Sequence, residues 1–470
     1  LLFSHRATEF AMLLLTIKNK SMGKTTKTKN NLQLAVIHEH TAAVDVGSML
    51  MTVAYTDNEG NQQLMETDGF TESLNELVKT LKDAGVTHVA MEATGVFWTA
   101  LYELMEEKGL KVTLVNPKHF KNVDAQKTDV KDSQWLHQLH AHGLLRASHI
   151  APEMYRELRS YIHERNVLQK QKSDTLNRIQ KTLTKMNIKV QHLISDIEGV
   201  SGMRILRGIA EGITEPEELL SNINTSQLKA SREELLKSLR GVYKRHYTVI
   251  LKSSLKALNF FKLQMKDYEL LIEEVLKKML PVDEEKRTPK IQRKTSHVRK
   301  NQYSINLKEY LRHIVGVDLT KIDGLDEISA LEIISITGIN MDKWKTAEHF
   351  ASWLNLCPRP KITGGKVIGY SKRFTNNNAT QALRLAAQSL WRHKGIFGKL
   401  YRRLAAQKGS AKAIKAIARK LAIIIYNMIK NKSEFDPAKV QFDSDRERAR
   451  RIIRLEKEAV RYGFTLQKAA

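Results

Sequence analysis

Cysteine is almost absent from this chain of 470 residues, because Cys357 is the only one. A single thiol excludes an internal disulfide framework and a four-cysteine zinc site, and it indicates a reducing, intracellular setting. Long hydrophobic runs are also missing, since no window approaches the roughly 20 apolar residues that a membrane-spanning helix needs. A lysine-rich stretch follows the short apolar run at 10–17 without a cleavage site, so we expect neither a signal peptide nor a membrane partner.

Proline is scarce in the middle of the chain, where only Pro216 lies between Pro152 and Pro281. This region is predicted to be helical, because proline interrupts helices and its absence leaves them room to extend. The composition, with 42% hydrophobic and 27% charged residues, excludes a wholly disordered chain. The length allows two or three domains.

Acidic residues are rare in the last quarter of the sequence. Between residues 359 and 470, 27 Lys and Arg stand against 7 Asp and Glu, so this segment holds +20 of the net charge of +26. Such an excess favours a polyanionic partner over a merely solvated basic surface. We therefore expect nucleic acid to bind mainly to the C-terminal quarter.

The region 40–150 alternates strand and helix patterns. A hairpin-type turn signal at 57–60 joins the second and third of three β-prone runs, and helix, strand, helix and strand patterns follow. The predicted strands are 41–46, 49–55, 62–66, 87–92 and 111–115, and the predicted helices are 71–84 and 98–108. This order predicts a ribonuclease-H-like sheet, in which the first and fourth strands are neighbours.

Four acidic residues occupy positions where their carboxylates can meet. Asp45 lies between two valines in the first predicted strand, and Glu92 ends the fourth. Asp129 and Asp132 lie three residues apart at the start of a predicted helix and share one of its faces. Each acid alone also fits a turn or a helix terminus, but together they predict a site for two Mg²⁺ ions about 4 Å apart. That arrangement is typical of phosphodiester chemistry.

The helical middle carries a heptad-like seam. Its apolar residues step by three and four, with lysine and glutamine on the other faces: Leu176, Ile179, Leu183, Met186 and Val190. A second helical stretch extends from 235 to 276. The two stretches predict an antiparallel helical hairpin, a coil between subunits, or both, and an ordinary helical bundle fits the pattern as well.

A basic segment near residue 363 carries hydroxyl groups. Thr363 precedes two glycines and is flanked by Lys361 and Lys366, which predicts an exposed loop that holds a phosphate near the hydroxyl. Ser371 is the second hydroxyl, next to further basic residues, Lys372 and Arg373, and Arg384 follows on a predicted helix at 376–390. Upstream, 322–338 resembles a helix-hairpin-helix phosphate clamp.

These motifs together resemble a known family. Asp45, Glu92, the Lys-Thr-Asp-x-x-Asp stretch and the downstream motifs at 356–358, 363–366 and 382–387 occur in the order found in Piv-like DEDD transposases of bacterial insertion sequences. The resemblance covers nearly all of 40–430. It implies a RuvC-like (RNase H-like) α/β domain, a helical coiled-coil linker and a mainly helical C-terminal transposase domain.

The resemblance also implies function and partners. It implies a recombinase that joins element DNA to target DNA, guided in some members by an element-encoded bridge RNA, and acting as a homo-oligomer, a dimer or tetramer. Asp45, Glu92, Asp129 and Asp132 match the ligands of two Mg²⁺ ions, with Mn²⁺ as an alternative. Thr363 stands where the family has a nucleophilic serine, and Ser371 is the alternative nucleophile. The basic residues named above are expected to contact nucleic acid.

Five segments are expected: a basic leader at 1–39, a catalytic domain at 40–150, a helical region with a charged linker at 151–302, a transposase domain at 303–435 and a basic tail at 436–470. Residues 1–21 are expected to be an upstream translation artefact or a disordered arm. The expected location is the bacterial cytoplasm, at the nucleoid. Two other functions fit the same residues: a RuvC-like structure-specific nuclease and a non-catalytic nucleic-acid-binding protein.

Overall fold

The computed structural model of the chain describes residues 35–116, 129–221, 223–224, 228–281, 301–370, 377–437, 444–465 and 467. The chain divides into two compact units, and the boundary between them falls between Ile150 and Ala151. Within the described ranges, no helix combines the length and the apolar character needed to cross a membrane.

The first unit is a five-stranded mixed sheet with three helices among its described residues. In chain order the elements are β1 (Thr41–Val46), β2 (Leu50–Thr56), β3 (Gln62–Asp68), α1 (Thr71–Asp83), β4 (His88–Glu92), α2 (Trp98–Glu107), β5 (Lys111–Val115) and α3 (Asp129–Ala141). The strand order is β3-β2-β1-β4-β5. The predicted adjacency of the first and fourth strands is therefore confirmed, and the structure shows that β1 and β4 pair in parallel.

Successive residues of each strand point to opposite faces of this sheet, and different helices cover the two faces. Val44 and Val46 belong to the larger core, which α1 and α2 complete. Ala43 and Ala90 belong to a smaller core on the opposite face, where they pack against Leu136 of α3. The small alanine side chains let α3 lie close to β1 and β4.

The second unit is mainly helical, as predicted. Its elements are α4 (Glu153–Lys185), α5 (Val200–Glu211), α6 (Pro216–Leu220), α7 (Arg232–Leu239), α8 (Arg245–Lys278), α9 (Leu307–Val315), α10 (Glu327–Thr337), α11 (Ala347–Trp353), β6 (Pro360–Thr363), β7 (Lys366–Tyr370), α12 (Asn378–Ser389), α13 (Ile396–Lys408), α14 (Ser410–Asn431) and α15 (Ser444–Arg461). The charged linker predicted at the end of the segment 151–302 lies largely outside the described residues, which omit 282–300.

The two long helices α4 and α8 form an antiparallel pair. Leu158 near the start of α4 shares a core with Ile272 near the end of α8. At the other end of the pair, Leu183 shares a second core with Leu251. An intrachain helical pair was one of the predicted alternatives, whereas a coiled coil between subunits stays a prediction.

The second helical stretch is broken, which the sequence pattern did not predict. The break between α7 and α8 contains Gly241, and a side-chain carbon there would lie 2.5 Å from the Met186 carbonyl oxygen. The next residue, Val242, donates its N–H to the same carbonyl at 2.7 Å. The chain therefore turns here because it must pass close to the end of α4.

Contacts near residue 303 join the helical pair to the region that follows. Tyr303 is fully buried, and the Arg165 guanidinium lies 3.7 Å from its ring centroid. Arg165 Nε donates to Glu269 Oε1 at 2.8 Å, and Glu269 Oε2 accepts from the backbone N–H of Ser304 at 2.9 Å. The predicted helical region and transposase domain thus share a core, and their limits at 302 and 435 stay predictions.

Candidate active site

Two of the predicted metal ligands, Asp45 and Glu92, lie at matching positions on the neighbouring strands β1 and β4. Val44 of β1 pairs with Met91 of β4 in parallel register, and Asp45 and Glu92 are the next residue on each strand. By alternation both acids lie on the face of Ala43 and Ala90, which α3 covers. The sheet therefore brings two carboxylates to one edge, as the predicted strand order required.

The carboxylate of Glu92 is held in the interior. Glu92 is only 3% exposed, and the Thr94 hydroxyl donates to its Oε1 at 2.6 Å. A buried carboxylate is costly unless hydrogen bonds or a cation satisfy it, so the Thr94 hydroxyl stabilises and orients Glu92. Thr94 is not among the predicted site residues, although a hydroxyl residue two positions after a buried acid is a usable signal in the sequence.

Helix α3 covers the same face of the sheet and contains the other two predicted ligands. Asp129 is its first residue, and its side chain is outside what the structure describes. Asp132 is partly buried and lies one helical turn before Leu136, which packs on the sheet. The start of α3 is therefore directed toward the edge that holds Asp45 and Glu92.

His137 fixes α3 to the sheet. Its Nδ1 is 2.8 Å from Gln62 Nε2, which donates, so the ring proton belongs on Nε2, 3.1 Å from the Thr41 carbonyl oxygen. Nε2 is also 3.0 Å from the Thr56 hydroxyl. Burial lowers the pKa of His137, and the hydrogen bond to Thr41 partly opposes this shift. A neutral ring therefore links α3 to three strands.

A histidine cluster lies at the far end of α3, away from the acids. The His38 ring stacks on His88 with centroids 4.5 Å apart and lies 5.1 Å from the His140 ring. Burial, followed by the charges of His38, His88 and His137, lowers the pKa of His140 to about 3. The fully buried His140 Nε2 has no hydrogen-bond partner among the described residues.

The donor set at the acidic edge suits a divalent cation, because carboxylate oxygens are the ligands that Mg²⁺ and Mn²⁺ prefer. Within the described side chains, which leave out that of Asp129, no group of three or more His, Cys, Asp or Glu is arranged to hold a metal ion. Asp45, Glu92 and Asp132, whose side chains are described, therefore do not form a metal site by themselves. Metal binding by the four acids stays a prediction.

A further acid lies in the same row of the sheet. Asp45 pairs with Thr52 of β2, and Thr52 pairs with Glu66 of β3. Glu66 is exposed and two strands from Asp45, roughly 10 Å at the usual strand spacing. It is too distant to share an ion with Asp45, so it provides a matched carboxylate outside the candidate site.

Thr363 lies at the tip of a β-hairpin rather than in an irregular loop. Gly364 and Gly365 form the two-residue turn between β6 and β7, with φ angles of 54° and 76°. Only glycine adopts such angles readily at both positions, which explains the sequence at this tip. Thr363 pairs with Lys366, so the hydroxyl and the ammonium group are cross-strand neighbours on one face.

The hairpin projects its side chains into solvent. All four residues of β6 are exposed, including Lys361 and Thr363. Ile362 and Ile368 are 61% and 68% exposed. The predicted site residues Ser371, Lys372 and Arg373 follow β7 and lie outside the described residues. The hairpin thus presents a hydroxyl between two lysines.

The helix-hairpin-helix-like segment at 322–338 contains a glycine turn followed by a helix. Gly324, with φ of 82°, precedes α10, and the Asp326 side chain accepts from the Ser329 N–H at 2.8 Å. This carboxylate satisfies a backbone group that a phosphate clamp would offer to DNA. Asp326 makes the start of α10 less suited to phosphate, and the clamp stays a prediction.

A cluster of like charges lies on α13 and α14. Burial, followed by the positive charges of Arg419 and Arg403, lowers the pKa of Lys420. The buried Nε of Arg419 has no hydrogen-bond partner in the described part of the chain. A cluster of cations that repel one another is typical of a surface that binds phosphate.

Comparisons with known proteins agree with this geometry. A family model for DEDD transposases of the IS110 type matches residues 42–188, which include the sheet, α3 and α4. A second model, described as Transposase IS116/IS110/IS902 family, matches residues 318–402, which include the Thr363 hairpin and α12. No curated protein matches the chain. DEDD transposases generally depend on divalent metal ions, and their partner is DNA. The chain therefore belongs to the IS110-type DEDD transposases and is a DNA-acting enzyme.

Proposed function

We propose that this transposase cuts and rejoins element and target DNA with the four acids of the first unit and the Thr363 hydroxyl of the second. The observation that carries the proposal is the pairing of β1 with β4, which gives Asp45 and Glu92 adjacent positions under the start of α3. Bound Mg²⁺ or Mn²⁺ would activate the attacking oxygen and stabilise the leaving one. Asp45, Glu92, Asp129 and Asp132 would hold two such ions.

The role of the protein in this reaction is to position a hydroxyl and hold a phosphate. Thr363 Oγ1 would form a bond to phosphorus as the bond to the leaving DNA oxygen breaks. The threonine proton leaves to solvent, and the leaving oxygen takes up a proton. In the second step a DNA hydroxyl would attack the phosphothreonine and release Thr363. Lys361 and Lys366, which flank the tip, would neutralise the phosphate.

The exposure of the hairpin supports an active site in which the hairpin tip acts together with another surface of the protein. An isolated two-stranded hairpin is marginally stable in water, and exposed isoleucines add to its need for a partner surface. We propose that the hairpin tip of one subunit acts with the acids of the same or a partner subunit in a dimer or tetramer. A coiled coil through the helical middle would hold such an oligomer together.

Mixing two inactive variants tests the shared site. Asp45→Ala lacks a metal ligand, Thr363→Ala lacks the hydroxyl, and each alone should be inactive in strand joining. A partner-subunit site predicts that the mixture recovers a fraction of wild-type activity, whereas a same-subunit site predicts none. Thr363→Ser is the matched control and should remain active, since it keeps the hydroxyl.

The same variants separate the alternative functions. A RuvC-like nuclease that uses a metal-activated water would tolerate Thr363→Ala, while a covalent recombinase would not. If Thr363→Ala still joins strands but Ser371→Ala does not, the nucleophile is Ser371. A non-catalytic binding protein would give the same DNA products with and without Mg²⁺.

The basic helices would hold the DNA backbone. Lys420, Arg419 and Arg403 form the crowded cluster described above, and phosphate would relieve their mutual repulsion. Arg384 on α12 is exposed, lines a polar cleft and would also contact nucleic acid. We also propose that an element-encoded bridge RNA guides the reaction. RNA with defined ends should then co-purify with the protein, and its absence from an active preparation would contradict RNA guidance.

A further inference from the structure

Helix α12 has two faces of different chemistry. Its buried face is made of small residues, among them Ala382 and Ala386, which let it lie close to α10 and α14. Gln381, Arg384, Leu385 and Gln388 are exposed along the middle of the helix, and we call these four residues the α12 face. Leu385 is 56% exposed. The helix contains no acidic residue.

The neighbouring helices expose a different set of side chains. Lys399 and Arg403 on α13 and Lys412 and Lys415 on α14 are exposed. A set made only of positive charges mostly contacts phosphates, without regard to sequence. Glutamine carries both a donor and an acceptor, and arginine a planar pair of donors, which match the edges of adenine and guanine. The α12 face therefore has the chemistry of base recognition, and its surroundings have the chemistry of backbone binding.

The spacing of the α12 face fits a DNA groove. Gln381 and Gln388 are seven residues apart, which is about 10 Å along a helix at 1.5 Å per residue. Three base pairs occupy the same length at 3.4 Å each. Gln381, Arg384 and Gln388 line one cleft of about 230 Å³ with Ile414 of α14. They therefore act over a continuous surface.

We propose that α12 enters the major groove of duplex DNA, where Gln381, Arg384 and Gln388 contact the edges of successive base pairs. Leu385 and Ile414 would contact thymine methyl groups, and Lys412 and Lys415 would hold the adjacent phosphates. This inference rests on the proposed function only in that the chain must bind DNA. It adds a sequence preference that comes from the protein itself.

Selection from a pool of DNA duplexes tests this inference. The full chain, freed of co-purifying nucleic acid, is mixed with 20-base-pair duplexes that carry eight randomised positions, and the bound fraction is sequenced. Wild type should enrich particular bases at about three adjacent positions, by about tenfold or more for a contacted base. Gln381→Ala and Gln388→Ala should each abolish the preference at one position. Total binding to the pool should change less than about twofold.

Matched controls separate a lost contact from a damaged protein. Gln407 is an exposed glutamine of α13, and Gln407→Ala should keep the wild-type preference. Alanine favours helix at exposed positions, so the α12 variants should melt at the wild-type temperature or above.

Each outcome bears on a separate claim. If wild type binds the pool without any base preference, or if both glutamine variants keep the full preference, base reading by α12 is wrong while DNA binding stands. If wild type does not bind duplex DNA at all, the proposed function fails as well. If the variants lose preference for an RNA pool but not for DNA, the partner of α12 is RNA and the inference is overturned.

Discussion

Acidification should destabilise the first unit through His140. Its ring is 3% exposed and is surrounded by three other histidines, so the protonated form is disfavoured in the folded state. Because burial lowers the pKa to about 3 from an ordinary value of 6.5, the unfolded chain takes up a proton first as the pH falls. Stability is therefore full above pH 6.5 and is lost progressively between pH 6.5 and pH 3.

The size of the effect follows from linkage between protonation and folding. The unfolded histidine takes up its proton near pH 6.5, whereas the folded one is still mostly unprotonated at pH 5. Over the 1.5 pH units between these two values, the free energy of unfolding falls by 1.36 kcal/mol per unit. His140 alone should thus lower the free energy of unfolding of the first unit by about 2 kcal/mol between pH 7 and pH 5. His88 and His137, whose pKa values burial also lowers, should add to this loss.

Hydrogen exchange measured by mass spectrometry can follow this unit within the full chain. Peptides from β1 and β4 report its opening free energy at pH 7 and pH 5, after correction for the intrinsic exchange rate. His140→Phe keeps a buried ring and removes the titration, so it should flatten the pH dependence by about 2 kcal/mol. His40→Gln, which changes an exposed histidine, should leave the dependence as in wild type. The reasoning is refuted if His140→Phe shows the full wild-type slope.

Three further predictions concern single contacts. Gly324→Ala should lower the free energy of unfolding of the second unit by about 2–4 kcal/mol in urea denaturation, because its φ is 82° and a side-chain carbon would lie 2.8 Å from a carbonyl oxygen of α12. Arg165→Met should cost about 3–5 kcal/mol in the same assay, since it leaves the buried Glu269 carboxylate without its cation, and a smaller loss would contradict this. Thr94→Val should raise the Mg²⁺ concentration for half-maximal activity by about 10- to 100-fold, because Glu92 loses its hydroxyl partner, and Thr94→Ser should restore it.

The placement of the strand acids was predictable because two local patterns determine it. Alternation gives Asp45 and Glu92 a face, and the strand order makes their strands neighbours. The limits of the three helices predicted with both ends, α1, α2 and α12, agree with the structure to within two residues, since their polar and apolar periodicity is strong. These features depend on nearby residues or on a simple connection rule.

Features that depend on distant contacts were not predictable. The break before α8 arises because Gly241 must pass the end of α4, more than 50 residues away in the sequence. The anchoring of α3 by His137 depends on residues of three strands, and the hairpin at Thr363 was predicted only as a loop. The helix α15 lies where only a basic tail was expected. Long-range packing, rather than local propensity, decides each of these.

Strand joining on a plasmid that carries the gene and its flanking DNA tests the central claim most directly. We compare wild type, Glu92→Gln and Glu66→Gln over a range of Mg²⁺ concentrations. Both variants lose one carboxylate from the same row of the sheet, but only Glu92 lies on the strand beside Asp45. Glu92→Gln should lose activity by about 100-fold or more, and Glu66→Gln should stay within about twofold of wild type. Full Mg²⁺-dependent joining by a folded Glu92→Gln protein would contradict the assignment of the acidic edge as the active site.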